Sequence, residues 1–264
     1  MSALVVHVDG VGLFGPGMSG WAEARPVLDG SSPLALAPLK LPAAEALPPA
    51  ERRRAGLAIR LSMAIAFDAA GEAGADPSRL PTVFSSSSGD CDNCHNILES
   101  LASPERAVSP TRFHNSVHNA PAGYWSIATG CMEPSTSLAA YDASFTAGLL
   151  EAATQARSSA RACLMLAFDT AYPEPLYSLR PIPHPFGIGL VVSPARTEAT
   201  QATLALSLTE APATVMADKD LEGLRRQIPT ARGLPLLQHV ARGDDAEVVI
   251  EYLEGLNLAV QVSR

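Results

Sequence analysis

Phe113-His-Asn-Ser-Val-His-Asn119, then Ala122-Gly-Tyr-Trp-Ser-Ile-Ala-Thr-Gly130 and Asp142-Ala-Ser-Phe-Thr-Ala-Gly-Leu-Leu-Glu-Ala152, is the stretch on which the fold turns. Asn119 is of the residue type that caps a helix, Pro121 fits a first turn and Gly130 a stop, so a helix is predicted between them. Leu138 to Tyr141 reads as a strand leading into a second helix near Asp142, in which Phe145, Leu149 and Leu150 share a face. Asp142 itself is well suited to N-cap that helix. His114 and His118 are four apart, a spacing that would set both imidazoles on one helical face. No Glu stands beside them as in a zincin motif, and two histidines, two asparagines and flanking aromatics fit equally a hydrogen-bonded loop against a subunit interface.

Toward the N-terminus, Leu4 to Val8 is a β-branched run closed by Asp9-Gly10, a strand and a turn. Residues 26–49 hold six prolines and predict an irregular connection with at most one short helical turn. From Glu51, Leu57, Leu61 and Ile65 recur every four residues among alanines up to Gly71 and Gly74, a helix of about five turns. Thr82 to Ser86 reads as a strand running into a Ser/Gly loop. Cys94, Ile97, Leu98 and Leu101 then mark an amphipathic helix.

Toward the C-terminus, Ala162 to Phe168 is a continuous apolar strand, and five prolines between Tyr172 and Pro185 make a structured loop. Gly187 to Ser193 and Thr203 to Leu208 read as paired strands. Helices follow at 218–227 and 234–242, with a hairpin of Val248 to Tyr252 and Leu256 to Val262. Strands alternate with helices for the first 170 or so residues and dominate afterwards, which predicts one α/β layered domain over 1–264 with a mixed sheet flanked by helices.

The chain has 264 residues, 47% of them hydrophobic and 17% charged, and a net charge of −8. Such a composition buries a sizeable core and excludes disorder and coiled coil as descriptions of the whole. An acidic balance without a basic tract argues against nucleic acid. No apolar run approaches the roughly 20 residues of a membrane span. The N-terminus meets Asp9 before a signal-peptide core forms, so a cytoplasmic protein is expected. Four cysteines are too few for a disulfide scaffold.

Several motifs have plainer readings. Gly10-Val-Gly-Leu-Phe-Gly15 spells a dinucleotide fingerprint, but Pro16, Gly17 and Gly20 make a poor helix and a glycine-rich turn accounts for it. Cys91-Asp-Asn-Cys94-His95 offers a zinc or haem pattern without the further ligands or the export that those need, so packed thiols are expected, and neither metal nor cofactor. The serines from Ser85 to Ser88 lack a G-x-S-x-G elbow. Arg52, Arg53 and Arg54 form a basic cluster at a helix start, a solvated face or a docking point for an acidic partner.

Read in order, these segments resemble the N-terminal half of a β-ketoacyl synthase of the thiolase-like superfamily, over roughly residues 4 to 195. The opening strand and glycine turn, the helix from Arg54 to Gly74, the loop from Ser85 to Asp90 and the run from Ser109 to Pro134 carry the likeness. In that family the last segment leads to a cysteine at the N-terminus of a buried helix, where the thiolate accepts an acyl group. By the resemblance Asp142 occupies that position, and a carboxylate is a far weaker nucleophile. The family's two catalytic histidines lie in a C-terminal half without counterpart here, the chain diverging into a helix and hairpin extension from about residue 200.

The FHNSVHN, AGYWSIATG and DASFTAGLLEA strings resemble the chain-length-factor-like group associated with aryl polyenes and related polyketides. The resemblance implies a non-catalytic subunit that binds an active ketosynthase, or pairs with itself, and works with an acyl carrier protein in polyketide or fatty-acyl extension. It makes Phe113, His114, Asn115, His118, Asn119, Tyr124 and Trp125 candidates for an interface or acyl tunnel. The alternatives are an acyl hydrolase, transferase or decarboxylase using Asp142 with His114 or His118, and a purely structural homodimer.

Overall fold

Strand β1 (Leu4–Gly15) runs through the interior of the sheet and supplies both of its faces. The computed structural model describes residues 3–264; Met1 and Ser2, part of the expected domain, lie outside the described residues. Val6 and Val8 precede a bulge at Asp9 and Gly10, Val11 and Leu13 follow it, and all four enter one core. Asp9-Gly10 is therefore not the expected turn, and the glycines that follow lie in a strand. A Cβ at Gly10 would strike the carbonyl oxygen of Ala69, and one at Gly12 that of Ile65. Bare positions let a helix lie directly on the sheet, which is what the fingerprint-like spacing is for.

A short β2 (Met18–Ser19) folds back on β1, and α1 (Trp21–Asp29) follows with Pro26 inside it. The expected irregular connection is thus shorter, from Gly30 to Pro48. The single helix expected from Glu51 is two, α2 (Pro49–Arg54) and α3 (Leu57–Glu72), broken where Gly56 lies extended beside the carboxylate of Asp90.

Next come β3 (Thr82–Ser85), α4 (Cys91–Ala102) capped by Asp90, α5 (Pro110–His114) capped by Ser109, and α6 (Ala120–Thr129) closed by left-handed Gly130. Strand β4 (Ser135–Leu138) ends where the expected strand began, and the residues from Tyr141 instead form a tight helical turn into α7 (Ser144–Ser159). After β5 (Cys163–Asp169) the proline-rich loop holds one helical turn, α8 (Leu176–Leu179). The remainder is β6 (Phe186–Ser193), β7 (Ala202–Thr209), α9 (Lys219–Gln227) capped by Asp218, α10 (Leu234–Arg242), β8 (Ala246–Leu253) and β9 (Leu256–Ser263).

The strand order is β4-β3-β5-β6-β1-β7-β9-β8. β3 pairs in parallel with β4 and β5, and the other neighbours are antiparallel, so the sheet is mixed as expected. β6 and β7 do not pair with each other: each lies antiparallel to β1, on opposite sides of it. Helix α3 packs on one face with Trp125 of α6 in the same cluster, while α1, α7, α9 and α10 cover the other. The C-terminal hairpin extends this sheet rather than forming a separate layer.

Helix α4 departs most from its sequence pattern. Its buried residues are Cys91 and Asn93, whereas Leu98 is 63% and Leu101 47% exposed, so the apolar stripe faces away from the core. No helix among the described residues is long and apolar enough to cross a membrane.

Candidate functional site

The turn into α7 is built by small polar groups. Ser144 is fully buried; its hydroxyl donates to the Tyr141 carbonyl at 2.7 Å and accepts from the Ala140 amide at 3.0 Å. Ser85, at the end of β3, donates to the Ser144 carbonyl at 2.5 Å, and Gly148 lets the helix come this close to Ser85. Tyr141 takes the left-handed conformation, φ 52°, which strains a non-glycine residue by about 1–3 kcal/mol and persists only where surrounding contacts impose it.

Those contacts come from Arg180. Its guanidinium lies 4.0 Å from the centre of the Tyr141 ring, hydrogen-bonds the Tyr172 hydroxyl and pairs with Asp142 Oδ1. Arg232 completes the clasp, donating from Nη1 to the Asp142 carbonyl at 2.9 Å and from Nη2 to Oδ2 at 3.3 Å. Asp142 is not the cap of α7, as its residue type predicted: Ala143 holds that place, and the carboxylate turns outward to the two arginines. Both carboxylate oxygens accept charged hydrogen bonds, one from each arginine. The clasp borders a small cleft of about 170 Å³ that Arg226 and Gln227 also line.

The two histidines do not share a helical face. His114 ends α5 and meets the Tyr124 ring edge-on, with centroids 6.4 Å apart, while His118 Nε2 lies 3.3 Å from the Ser86 carbonyl. Neither is hydrogen-bonded to Asp142. Asn115 is buried, donating to the Arg54 carbonyl at 2.8 Å and accepting from the Tyr124 hydroxyl at 3.1 Å, so it joins α2, α5 and α6. Burial raises the Tyr124 hydroxyl above its ordinary pKa. Trp125 packs against Phe67 at 4.9 Å between centroids. Tyr124 and Trp125 are thus interior residues, closed to direct contact with a partner, whereas Phe113 is 68% exposed.

Asn119 makes no capping bond and lines a groove of about 420 Å³ with Ala122, Gly123 and Ser126 of α6 and Ser135 and Ser137 of β4. In the basic cluster, Arg52 ties down the carbonyls of Glu45 and Leu47 and Arg54 pairs with Glu51 at 3.2 Å. Arg53 is the member that stays exposed without such a partner among the described residues.

Two of the cysteines, Cys94 and Cys163, are held away from the thiolate form. Burial pushes the Cys163 thiol up to about 12 and raises Cys94 as well. Cys91 and Cys94 are free thiols, and it is Cys91 that is buried, not Cys94 on the stripe. Among the described residues no three His, Cys, Asp or Glu side chains gather to hold a metal ion.

Sequence reasoning missed Arg180, Arg232 and Tyr172, which reach Asp142 from distant segments. It also missed Asp169, fully buried at the end of β5. Its carboxylate accepts from the amide and hydroxyl of Ser87, at 3.0 and 2.6 Å, and of Thr230, at 2.9 and 2.7 Å. Desolvation raises its pKa against the pull of those four bonds.

Residues 27–251 match the family model described as β-ketoacyl synthase, N-terminal domain, beyond the residue 195 at which the motif likeness stopped. A ketosynthase in complex with its chain length factor from Xenorhabdus doucetiae is similar at 21% identity and TM-score 0.73, over 98% of this chain and 99% of that one. The ishigamide ketosynthase/chain length factor is similar at 14% identity and TM-score 0.73, over 98% of each chain. A type II polyketide synthase acyl-carrier protein in complex with its ketosynthase gives 12% identity and TM-score 0.74, over 100% of this chain and 99% of that one. At such identities the likeness is one of fold. No curated protein sequence matches.

Proposed function

The chain belongs to the β-ketoacyl synthase N-terminal domain family, and on that premise we propose that it is a non-catalytic, chain-length-factor-like subunit. It supports polyketide or fatty-acyl extension by pairing with an active ketosynthase and, through it, an acyl carrier protein. The observation that carries this reading is Asp142. At the start of α7, where the family resemblance places an acyl-accepting thiol, stands a carboxylate with both oxygens held by Arg180 and Arg232. An acyl carboxylate would be a reactive anhydride, and freeing the oxygen first requires breaking the clasp.

The surface supports a role exercised through another protein. Strand β4 is a sheet edge bonded on one side only, and beside it runs the groove of small residues along α6, which lets another backbone approach closely. Leu98, Leu101, Phe113, Val117 and Ile127, from α4 to α6, stay exposed, and apolar surface of this kind on a folded chain marks an association face. Of the residues singled out by resemblance, Phe113 and Asn119 belong to this surface; Asn115, Tyr124 and Trp125 support it from within.

Capture of the tagged chain from its native cell tests the pairing. A ketosynthase recovered in equal amount supports the proposal. Recovery of a self-paired chain alone favours the structural homodimer and overturns it.

A further inference from the structure

On the side of the sheet covered by α3, far along the fold from Asp142, the irregular segment between Gly30 and Pro48 crosses over α3. Leu39 and Leu41 rest against the α3-side core, and the Ala37 carbonyl accepts from the Gly17 amide at 3.0 Å. Between these anchors the segment roofs a cavity of about 650 Å³. Leu36, Leu39 and Leu41 form one wall and Leu57 and Pro185 line the rest, with Arg60 and His184 as its basic groups. Its volume falls in the range of small-molecule sites, which combine apolar walls with a few polar groups that fix orientation.

The charges indicate what fits. Arg60 and His184 are exposed, and neither forms an ion pair among the described residues. In a protein whose net charge is −8, the lining holds Arg60 and no acidic side chain. An apolar cleft whose lining holds an unpaired guanidinium and an imidazole able to hydrogen-bond suits a molecule that is aliphatic along its length and anionic at one end.

We infer that this cavity binds a single-chain aliphatic carboxylate, with its chain among Leu36, Leu39, Leu41 and Leu57 and its carboxylate received by Arg60 and His184. The site is separate from the Asp142 clasp and does not depend on how that clasp is read.

Calorimetric titration of the full chain with decanoate tests it, with decanol and inorganic phosphate as comparisons. Saturable binding of decanoate at one site is expected, with decanol weaker and phosphate without measurable heat. Arg60→Ala removes a charged hydrogen bond and lowers decanoate affinity by about tenfold or more. Leu36→Glu, at an exposed position on the roof, lowers it similarly by placing an acid in the apolar wall while leaving the fold intact by circular dichroism. Absence of saturable decanoate binding, unchanged affinity in both variants, or phosphate binding as tightly as decanoate overturns the inference.

Discussion

Helices α4 and α10 have comparable amphipathic sequences, yet α10 sinks Leu234, Leu236, Leu237 and Val240 into the core while α4 leaves Leu98 and Leu101 in solvent. The difference lies in what each helix has to lie on. α10 is placed against α1 and the β8–β9 hairpin, where the sheet offers an apolar face; α4 packs chiefly on the short helix α5. Periodicity specifies that a face will be buried, not which molecule buries it. In α10 the partner is the same chain, and in α4 the account assigns a second one.

The strongest way to break this comparison is to cut into both stripes. Leu236→Ala empties a fully buried position and is expected to cost about 3 kcal/mol of folding stability, read as a fall in the urea midpoint. Leu98→Asp is expected to shift stability by about 0.5 kcal/mol or less while abolishing ketosynthase capture. If both substitutions unfold the chain equally, α4 is part of the core and the comparison fails.

Two carboxylates sharpen it, one inside the fold and one at its mouth. Asp169→Ala leaves the amides of Ser87 and Thr230 without their acceptor and is expected to cost about 2 kcal/mol or more in the same titration. Asp142→Ala removes pairs whose side chains are only partly buried, with Asp142 38% exposed, so the expected loss is about 1 kcal/mol. An Asp142 variant destabilised as strongly as the Asp169 variant would make the clasp a structural rivet.

The smallest effect is one of pH. Burial holds the Asp68 carboxyl above its ordinary range, while Oδ2 accepts from the Trp21 amide at 2.7 Å and the Leu13 amide at 3.3 Å. From the unfolded value of about 3.9 upward the folded state holds this proton more tightly, so the group's contribution to stability falls as pH rises through the folded value. Asp68→Asn keeps an acceptor oxygen and removes the charge. The variant is expected to gain on the parent chain in urea midpoint between acid and neutral pH, and a difference that stays constant across that range contradicts the assignment.

Elements announced by local chemistry were legible in the sequence. Asp218 caps α9, which ends at Gln227 as expected, Gly130 closes α6, and α10 spans the expected residues 234–242. The family, too, was readable from its motif strings. What local reading did not give was set by partners far along the chain. The Asp9-Gly10 pair is a bulge because α3, more than forty residues later, lies on the bare strand beside it. Asp142 turns away from the cap position because Arg180 and Arg232, 38 and 90 residues onward, draw its carboxylate out. Neither arginine sits in a pattern that singles it out.

The most direct test supplies acyl-carrier-bound acyl and malonyl thioesters to the purified chain, to a purified ketosynthase partner, and to the two together, with products and intact protein masses followed in each. The account predicts that the chain alone forms no condensed product and acquires no acyl mass, and that extended product appears with the complex, the acyl group residing on the ketosynthase. Condensation by this chain unaided, or an acyl group carried on it, would contradict the account.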